Sequence, residues 1–274
     1  MTSCLHKSSG QAAIRLSVLL LLGIFCTLPI PATAGQAAGP LKSAFIPNEK
    51  LVFELRWAFI TVGTATLEVL PMQTINGQPA YHFALTAKSN AFLDSFYKVR
   101  DRIDAFADGG LTHSVHYLKK QREGHTIRDI EVRFDWENLK TRFLKTEKGG
   151  GEDKLTPVMA GSFDPLSAFY FVRGTEKVAA GTLIERPITD GNKNVTGRVT
   201  VVKRETIRVK GTEYDTFLVE PDLKEVGGVF EKSKDARIQI WVTADHRRIP
   251  VRLKSKVIVG SFVGDLISAT GRAA

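Results

Sequence analysis

The stretch IQIWVTADHRRIPVRLKSKVIVGSF, residues 238–262, decides the fold class because apolar and polar side chains alternate along it. The alternation has a period of two, which is the period of a β-strand whose two faces meet different surroundings. We predict one strand over residues 238–242 and a second over residues 248–259. The connection through residues 244–247 is too short for a crossover, so the two strands should pair in antiparallel fashion.

The second predicted strand has two chemically different faces. Its inward face is apolar and consists of Ile249, Val251, Leu253, Val257 and Val259. Its outward face, which we call the cationic stripe, consists of Arg248, Arg252, Lys254 and Lys256. Such a stripe either keeps a solvated edge from aggregating, or docks on an anionic lipid or polymer, where each cation contributes up to about 1 kcal/mol. Pro250 lacks an N–H group, which favours an edge position or a bulge.

The same alternation recurs along most of the chain, for example in KLVFELRW, residues 50–57. The turns between such runs, among them Asn76-Gly77, are typical of hairpins rather than of crossovers. We therefore predict a mainly β fold, with a single domain over residues 48–270. In it, about a dozen antiparallel strands would form a curved open barrel or two packed sheets.

One segment has the features of a helix: FDPLSAFYFVRG, residues 163–174. Asp164 is a suitable N-cap, Pro165 fits the first helical position, and Gly174 fits a C-terminal stop. A shorter helix fits residues 91–96. The β-rich domain should therefore contain one or two short helices.

The first 34 residues have the pattern of a cleavable signal peptide. Two basic residues precede an apolar run, and the small residues Ala32-Thr33-Ala34 follow it. The apolar run is shorter than the ~20 residues that a membrane-spanning helix needs. We expect cleavage after Ala34 and a periplasmic location, with an uncleaved anchor as the alternative. Residues 35–47 are predicted to form a linker.

Removal of the signal peptide changes the composition of the chain. Both cysteines, Cys4 and Cys26, lie in it, so the mature chain would have no disulfide, and it would keep no transmembrane anchor. The full chain has 38 Lys and Arg against 29 Asp and Glu, a net charge of +9; without the two basic residues of the signal peptide the balance is 36 against 29, or +7. A basic exported protein meets anionic material, so an anionic lipid or glycan of the envelope is the expected partner. We expect no nucleic-acid partner, because no recognition motif is present.

The sequence shows no compact catalytic or metal-binding motif, and we predict no catalytic residue, no metal site and no cofactor. His113 and His116 are three residues apart on a predicted strand and would face opposite sides of the sheet. Asp101 would face the apolar interior, where a carboxylate needs a partner. We predict a structural pair between Asp101 and Arg173, at the end of the longer helix.

Four blocks follow one another along the chain: EKLVFELRWAFITVGTATLEV, SFYKVRDRIDAFAD, FDPLSAFYFVRG and WVTADHRRIPVRLKSKVIVGSF. Together they resemble the exported bacterial family called domain of unknown function 3108, and they span nearly all of the predicted mature chain. The resemblance implies a periplasmic β-rich protein and supplies no catalytic residues. At the level of the fold alone, the expected architecture is similar to the curved half-barrel carriers of lipoproteins.

These observations favour a non-enzymatic protein of the bacterial cell envelope. It would bind or chaperone a hydrophobic or anionic component such as a lipid, an acyl chain or a glycan, with apolar side chains lining a cavity and basic ones at its rim. The alternative is a hydrolase or lyase that acts on envelope polysaccharide with carboxylates from the strand hairpins. An open apolar groove would favour the binder, and a polar cleft with clustered carboxylates would favour the enzyme.

Overall fold

The computed structural model describes residues 44–222, 237–257 and 260–271. These residues form fourteen β-strands and two α-helices. The strands are β1 (Lys50–Trp57), β2 (Ile60–Ile75), β3 (Gln78–Ser89), β4 (Arg100–Asp108), β5 (Ser114–Glu123), β6 (Thr126–Asp135), β7 (Lys140–Glu147), β8 (Gly150–Pro157), β9 (Leu183–Thr189), β10 (Asn194–Val209), β11 (Thr212–Pro221), β12 (Arg237–Thr243), β13 (Pro250–Val257) and β14 (Gly260–Thr270). The helices are α1 (Ala91–Asp94) and α2 (Pro165–Gly174). The predicted signal peptide, residues 1–34, lies outside the described residues.

All fourteen strands belong to one antiparallel sheet with the order β8-β7-β6-β5-β4-β3-β2-β1-β14-β13-β12-β11-β10-β9. Neighbours in the chain are neighbours in the sheet, and the additional pairing of β1 with β14 brings the two ends of the domain to the middle of the sheet. Strands β8 and β9 form the two edges, so the sheet is not closed into a barrel. The predicted mainly β fold class is confirmed: of the two predicted arrangements, the described residues form the open sheet rather than two packed sheets, and they contain two short helices.

Two hairpins owe their register to turn residues with a left-handed backbone. Asn76 and Gly77 have φ angles of 51° and 77° between β2 and β3, and Lys210 and Gly211 have φ angles of 49° and 87° between β10 and β11. Positive φ at both central residues is typical of the type I′ turn, whose twist matches that of the strands it joins. The tight turn predicted at Asn76-Gly77 is confirmed.

Helix α2 connects the two edges of the sheet and begins as the sequence predicts. The Asp164 carboxylate accepts hydrogen bonds from the backbone N–H groups of Leu166 and Ser167, each at 2.9 Å. Pro165 occupies the first helical position, and the helix ends at Gly174. The helix packs against β3, β4 and β9, on the concave side of the curved sheet.

Aromatic rings pack together beneath α2. The Tyr170 ring stacks on Phe83 with 3.9 Å between centroids, and Phe45 meets Tyr170 edge-on at 5.3 Å. Ala44 and Phe45 are both buried in this core. The predicted linker, residues 35–47, is therefore too long, because an aromatic side chain within it completes the packing.

The segment before α2 joins the two edges of the sheet without closing the barrel. Phe163 donates its backbone N–H to the carbonyl of Pro187 at 3.0 Å, and its own carbonyl accepts from Thr189 at 2.8 Å. The turn after β9 approaches β7, where the Thr141 hydroxyl donates to the carbonyl of Gly191 at 3.2 Å. These contacts enclose the space between α2 and the concave face.

Candidate binding site beneath helix α2

A cavity of about 230 Å³ lies between α2 and the concave face of the sheet. Its sheet side contains a row of residues, one from each of six adjacent strands, that are paired in register: Val201, Val219, Ile240, Leu253, Gly264 and Leu55. Strands in a sheet are ~4.8 Å apart, so this row extends over about 24 Å of curved surface. The alternation in the sequence creates the row, because every second residue of each strand points inward.

The helix side of the cavity is also apolar. Leu166, Phe169 and Val172 from α2 line it, and Ile184 and Ile188 from β9 extend the lining. The volume exceeds the roughly 150 Å³ of an apolar cavity that accommodates benzene, and it is below the ~300 Å³ at which pockets for drug-sized ligands begin. Such a space suits a slender apolar group, for example a single hydrocarbon chain.

Few polar residues line the cavity. Those among the described residues are Arg173, Arg186, Thr189, Asp190, Lys193, Arg198 and Arg248. Asp190 is the one carboxylate in that set. Glycoside hydrolysis by the usual mechanism needs two carboxyl groups on opposite sides of the scissile bond, and the described lining of this cavity does not supply them.

Arg186 differs from the other cations of the lining because it lies within an apolar strand face. It is on β9 between Ile184 and Ile188, which also line the cavity. Its guanidinium lies over the ring of Phe171, 4.4 Å from the ring centroid, an arrangement that is typical of a cation–π contact. Burial lowers the pKa of Arg186, and the described part of the chain offers it no carboxylate.

Arg173 is fully buried and neutralised by Glu49. Its Nη1 lies 2.8 Å from Glu49 Oε1, and both side chains are 1% exposed. Arg247 adds a second contact to the same carboxylate at 2.9 Å, and Arg173 Nε donates to the carbonyl of Arg248 at 3.2 Å. A buried cation requires such a set of partners because desolvation of an unpaired charge costs several kcal/mol.

The predicted pair of Asp101 and Arg173 is therefore wrong. Asp101 does face inward and is 2% exposed, as the alternation of β4 predicts. It accepts a hydrogen bond from the backbone N–H of Arg122 at 2.6 Å. Burial raises the pKa of Asp101, and the hydrogen bonds from Arg122 and with Glu123 offset part of that rise. Asp101 on β4 contacts Arg122 of the neighbouring strand β5, whereas Arg173 at the end of α2 contacts Glu49, which precedes β1.

Three of the four cations of the predicted stripe share the outward face of β13: Arg252, Lys254 and Lys256. Lys254 and Lys256 are exposed, but Arg252 Nε is bound to the buried carboxylate of Asp265 at 2.6 Å. Arg252 therefore supports the fold rather than offering a free charge. Docking of the stripe on an anionic surface stays a prediction.

Arg248 is not part of this surface, which corrects the four-residue stripe. It is 9% exposed and precedes β13. Its guanidinium donates to the carbonyls of Arg173 at 3.1 Å and Glu176 at 2.8 Å. The positive φ of 42° at Arg248 interrupts the strand alternation, so the side chain turns toward α2 instead of toward solvent.

Pro250 is the first residue of β13, and the sequence favoured either an edge position or a bulge for this strand. The strand lies between β12 and β14 and is not at an edge. The pairing register shifts between Trp241 and Val242, where Val242 faces Pro250. The predicted bulge is confirmed, and it lets a central strand accommodate a residue without an N–H group.

Histidines, acids and helices give no second site in the part of the chain that the structure describes. His116 contacts Glu131 at 2.9 Å and His82, which is buried, contacts Asp104 at 2.8 Å, so each histidine is paired with one carboxylate. Across residues 44–222, 237–257 and 260–271, three or more potential metal ligands do not come together. Neither described helix has the length and apolar character needed to cross a membrane.

Sequence reasoning did not single out Arg186 or Glu49. Arg186 could have been found, because it occupies an inward position in LIERPIT between Ile184 and Ile188. A cation that interrupts an apolar face has the same form of signal as Asp101 on β4. Glu49 had no such signal, since it precedes the first strand and meets Arg173 only in the folded protein.

Residues 52–267 match the model of a family described as "Protein of unknown function (DUF3108)". The fold is similar to the crystal structure of a beta-barrel-like protein of domain of unknown function DUF1849 from Brucella abortus, with a TM-score of 0.52 and 10% identity over 83% of this chain and 99% of that chain. It is also similar to the hypothetical protein CT021 from Chlamydia trachomatis, with a TM-score of 0.35 and 8% identity over 84% of this chain and 89% of that chain. The first likeness supports the fold alone. No curated protein matches the sequence.

Proposed function

The chain belongs to the DUF3108 family of proteins of unknown function, and we propose that it is a non-enzymatic periplasmic protein that binds the acyl chain of an envelope component. The observation that carries this proposal is the apolar cavity beneath α2, with its row of five aliphatic side chains and one glycine across six strands. Burial of a hydrocarbon chain against such a surface is favourable by ~0.8 kcal/mol for each CH₂ group. A cavity of this shape is therefore a site for a chain-like ligand.

The chemistry of the lining favours an acyl chain over a glycan. A glycan presents hydroxyl groups that must be hydrogen-bonded when they leave water, and the described lining is mostly aliphatic and aromatic. The single carboxylate of that lining, Asp190, also argues against an envelope polysaccharide hydrolase acting here.

The proposed periplasmic location rests on the signal-peptide pattern of residues 1–34, and the chain has no cysteine after residue 34. Chains that fold outside the cytoplasm without disulfides depend on their core, and a domain of this length has enough surface to bury. N-terminal sequencing of the exported protein should give Gly35 as the first residue. An exported protein that begins at Met1 would refute cleavage after Ala34 while leaving the cavity untouched.

The binding proposal can be tested by filling the cavity. Val199 lies on the inward face of β10 and lines the cavity, and its neighbour Thr200 is exposed on the outward face. We expect Val199→Phe to weaken binding of the neutral dye N-phenylnaphthylamine by about tenfold or more, since one excluded contact worth ~1.4 kcal/mol has that effect. Thr200→Phe adds the same ring on the other face and should bind the dye as the unmodified protein does.

The measurement is a fluorescence titration of delipidated protein, with circular dichroism to show that both variants are folded. Displacement of the dye by dodecanol would show that a hydrocarbon chain competes for the same space. If Val199→Phe and Thr200→Phe bind the dye equally well, or if the unmodified protein binds neither dye nor dodecanol, the proposed function is wrong.

A further inference from the structure

The proposed function accounts for the apolar lining of the cavity but not for the guanidinium of Arg186. The two flat faces of a guanidinium can stack on an aromatic ring while its N–H groups stay available at the edge. Phe171 takes one face of the Arg186 guanidinium, at 4.4 Å from the ring centroid. The hydrogen-bonding edge is therefore not consumed by the contact that holds the side chain in place.

The other cations that line the cavity are accounted for. Arg173 is paired with Glu49 at 2.8 Å, and Arg198 is paired with Glu185 at 2.5 Å. Arg248 donates to two backbone carbonyls. Lys193 is exposed on the turn after β9. Arg186 thus stands apart as the cation that is held inside the apolar lining by a ring rather than by an oxygen.

The lining connects Arg186 to the aliphatic row. Arg186 faces Gly197 in the pairing of β9 with β10, and Ile184 faces Val199 in the same pairing. Val199 is followed on the inward face by Val201, which begins the row that continues to Val219. A molecule with a charged end at Arg186 would have a continuous hydrocarbon path for the rest of its length.

We propose that Arg186 binds the carboxylate head group of a single-chain amphiphile whose tail lies along Val199 and the aliphatic row. The inference rests on the proposed function, because it assigns a head-group site to the same cavity. A carboxylate is the planar anion that a guanidinium edge binds with two parallel hydrogen bonds. The small volume of about 230 Å³ favours one chain over a lipid with two or more.

The charge of the amphiphile is the property to vary. Dodecanoate, dodecanol and dodecyltrimethylammonium share one tail and carry a negative, a neutral and a positive head. We expect the protein at neutral pH to bind dodecanoate at least tenfold more tightly than dodecanol, since hydrogen bonds to charged groups contribute enough for that ratio. Dodecyltrimethylammonium should bind more weakly than dodecanol, because its head would meet a like charge.

The residue is tested by matched substitutions. Arg186→Gln should reduce the affinity for dodecanoate about tenfold and leave that for dodecanol within twofold. Arg186→Lys keeps the charge without the planar edge and should restore part of the loss. Arg208→Gln is the control: this side chain is on the same strand as Val199, is exposed and paired with Glu213, and is not part of the cavity lining, so both affinities should stay within twofold. Displacement of N-phenylnaphthylamine and titration calorimetry measure these affinities.

The outcomes separate the head-group site from the cavity itself. Equal affinities for dodecanoate and dodecanol, or equal losses for Arg186→Gln and Arg208→Gln, would overturn the role of Arg186. If dodecanol binding is then still lost in Val199→Phe, the proposed function stands without the head-group site. If neither amphiphile binds to the unmodified protein, both proposals fall together.

Discussion

The two halves of the concave face are built from different side chains, and only one of them is filled. Beneath the first part of the sheet, Phe45, Phe83 and Tyr170 pack ring against ring. Beneath β10 to β13, residues such as Val201 and Ile240 line a cavity. We call these the aromatic half and the aliphatic half. The same helix, α2, faces both of them.

The difference has a simple steric cause. Aromatic rings are long enough to reach from the sheet to the helix, whereas β-branched side chains are short and restricted in rotation. Phe45 adds a ring from the segment before β1 to the aromatic half. The polar groups follow the same division: the buried pair of Arg173 and Glu49 lies against the rings of Phe45 and Tyr170, and Arg186 is on the cavity side. The comparison teaches that the buried ion pair packs on the rings of the filled half, whereas the cavity that we propose as a binding site lies beneath the other half.

The largest effect is expected at the buried ion pair beside the aromatic half. Arg173→Ala leaves the Glu49 carboxylate buried with Arg247 as its remaining ion-pair partner among the described residues, and it should lower the free energy of unfolding by about 3–5 kcal/mol. Urea denaturation measures this. Arg198→Ala breaks an exposed pair and should cost no more than about 1 kcal/mol.

The double variant Arg173→Met with Glu49→Leu removes both charges and should recover most of the stability, since an apolar replacement of a buried pair is often neutral. If Arg173→Ala and Arg198→Ala lower the free energy of unfolding by the same amount, the buried ion pair beside the aromatic half is no more stabilising than an exposed pair.

The next effect is expected at the start of α2. Asp164 caps the helix, and its Oδ2 also accepts from the buried hydroxyl of Ser114 at 2.5 Å. Asp164→Ala removes a cap worth ~1 kcal/mol and leaves the Ser114 hydroxyl without this acceptor, which adds about 1–2 kcal/mol. Thermal and urea unfolding should show a loss of about 2–3 kcal/mol in all.

Asn90 offers a matched control, because its side chain caps the shorter helix α1 by accepting from Leu93 at 3.0 Å. Asn90→Ala should cost about 1 kcal/mol. A loss for Asp164→Ala no greater than that for Asn90→Ala would mean that the contact with Ser114 contributes nothing.

A pH experiment distinguishes the inward and outward faces of β4. Burial raises the pKa of Asp101, so its contribution to stability is fully present below the ordinary pKa of ~3.9 and is lost as the pH rises through the raised value. Asp101→Asn should therefore gain stability relative to the unmodified protein as the pH increases from ~4. Denaturation midpoints across a pH series measure the difference.

Asp104 is the outward counterpart of Asp101 and should behave in the opposite way. Burial alone would raise its pKa, but hydrogen bonds from His82 and Arg102 outweigh burial and lower the pKa to about 2. Its contribution is present above ~3.9 and is lost as the pH falls toward that lowered value. Asp104→Asn should be less stable than the unmodified protein at neutral pH, and this difference in stability should shrink as the pH falls. If the stability differences of Asp101→Asn and Asp104→Asn change with pH in the same direction, the assignment of faces is contradicted.

The smallest effect is expected on the outer surface of the aliphatic half. Lys254→Glu changes an exposed side chain of β13 and should alter the free energy of unfolding by no more than about 0.5 kcal/mol. Arg252→Glu, two residues earlier, places a like charge beside the buried carboxylate of Asp265 and should cost about 1–3 kcal/mol. Chemical denaturation of both variants tests whether the outward cations act as one surface.

The sequence predicts those features that depend on neighbours in the chain. The period-two alternation of segments such as residues 50–57 was enough for the fold class, because each strand shows its inward face locally. The cap at Asp164 and the turn at Asn76-Gly77 were equally local. For the same reason the inward position of Asp101 was predicted correctly while its partner was not.

The tertiary structure decided everything that depends on which strands and segments meet. The pairing of β1 with β14 joins residues more than 200 positions apart, for example Lys50 with Thr270, and Arg173 finds Glu49 across 124 positions. The placement of α2 over the concave face then created one filled half and one cavity, with Arg186 inside the latter. Local patterns specify the direction of each side chain, whereas the choice of partner is made by the packing of the whole sheet around one helix.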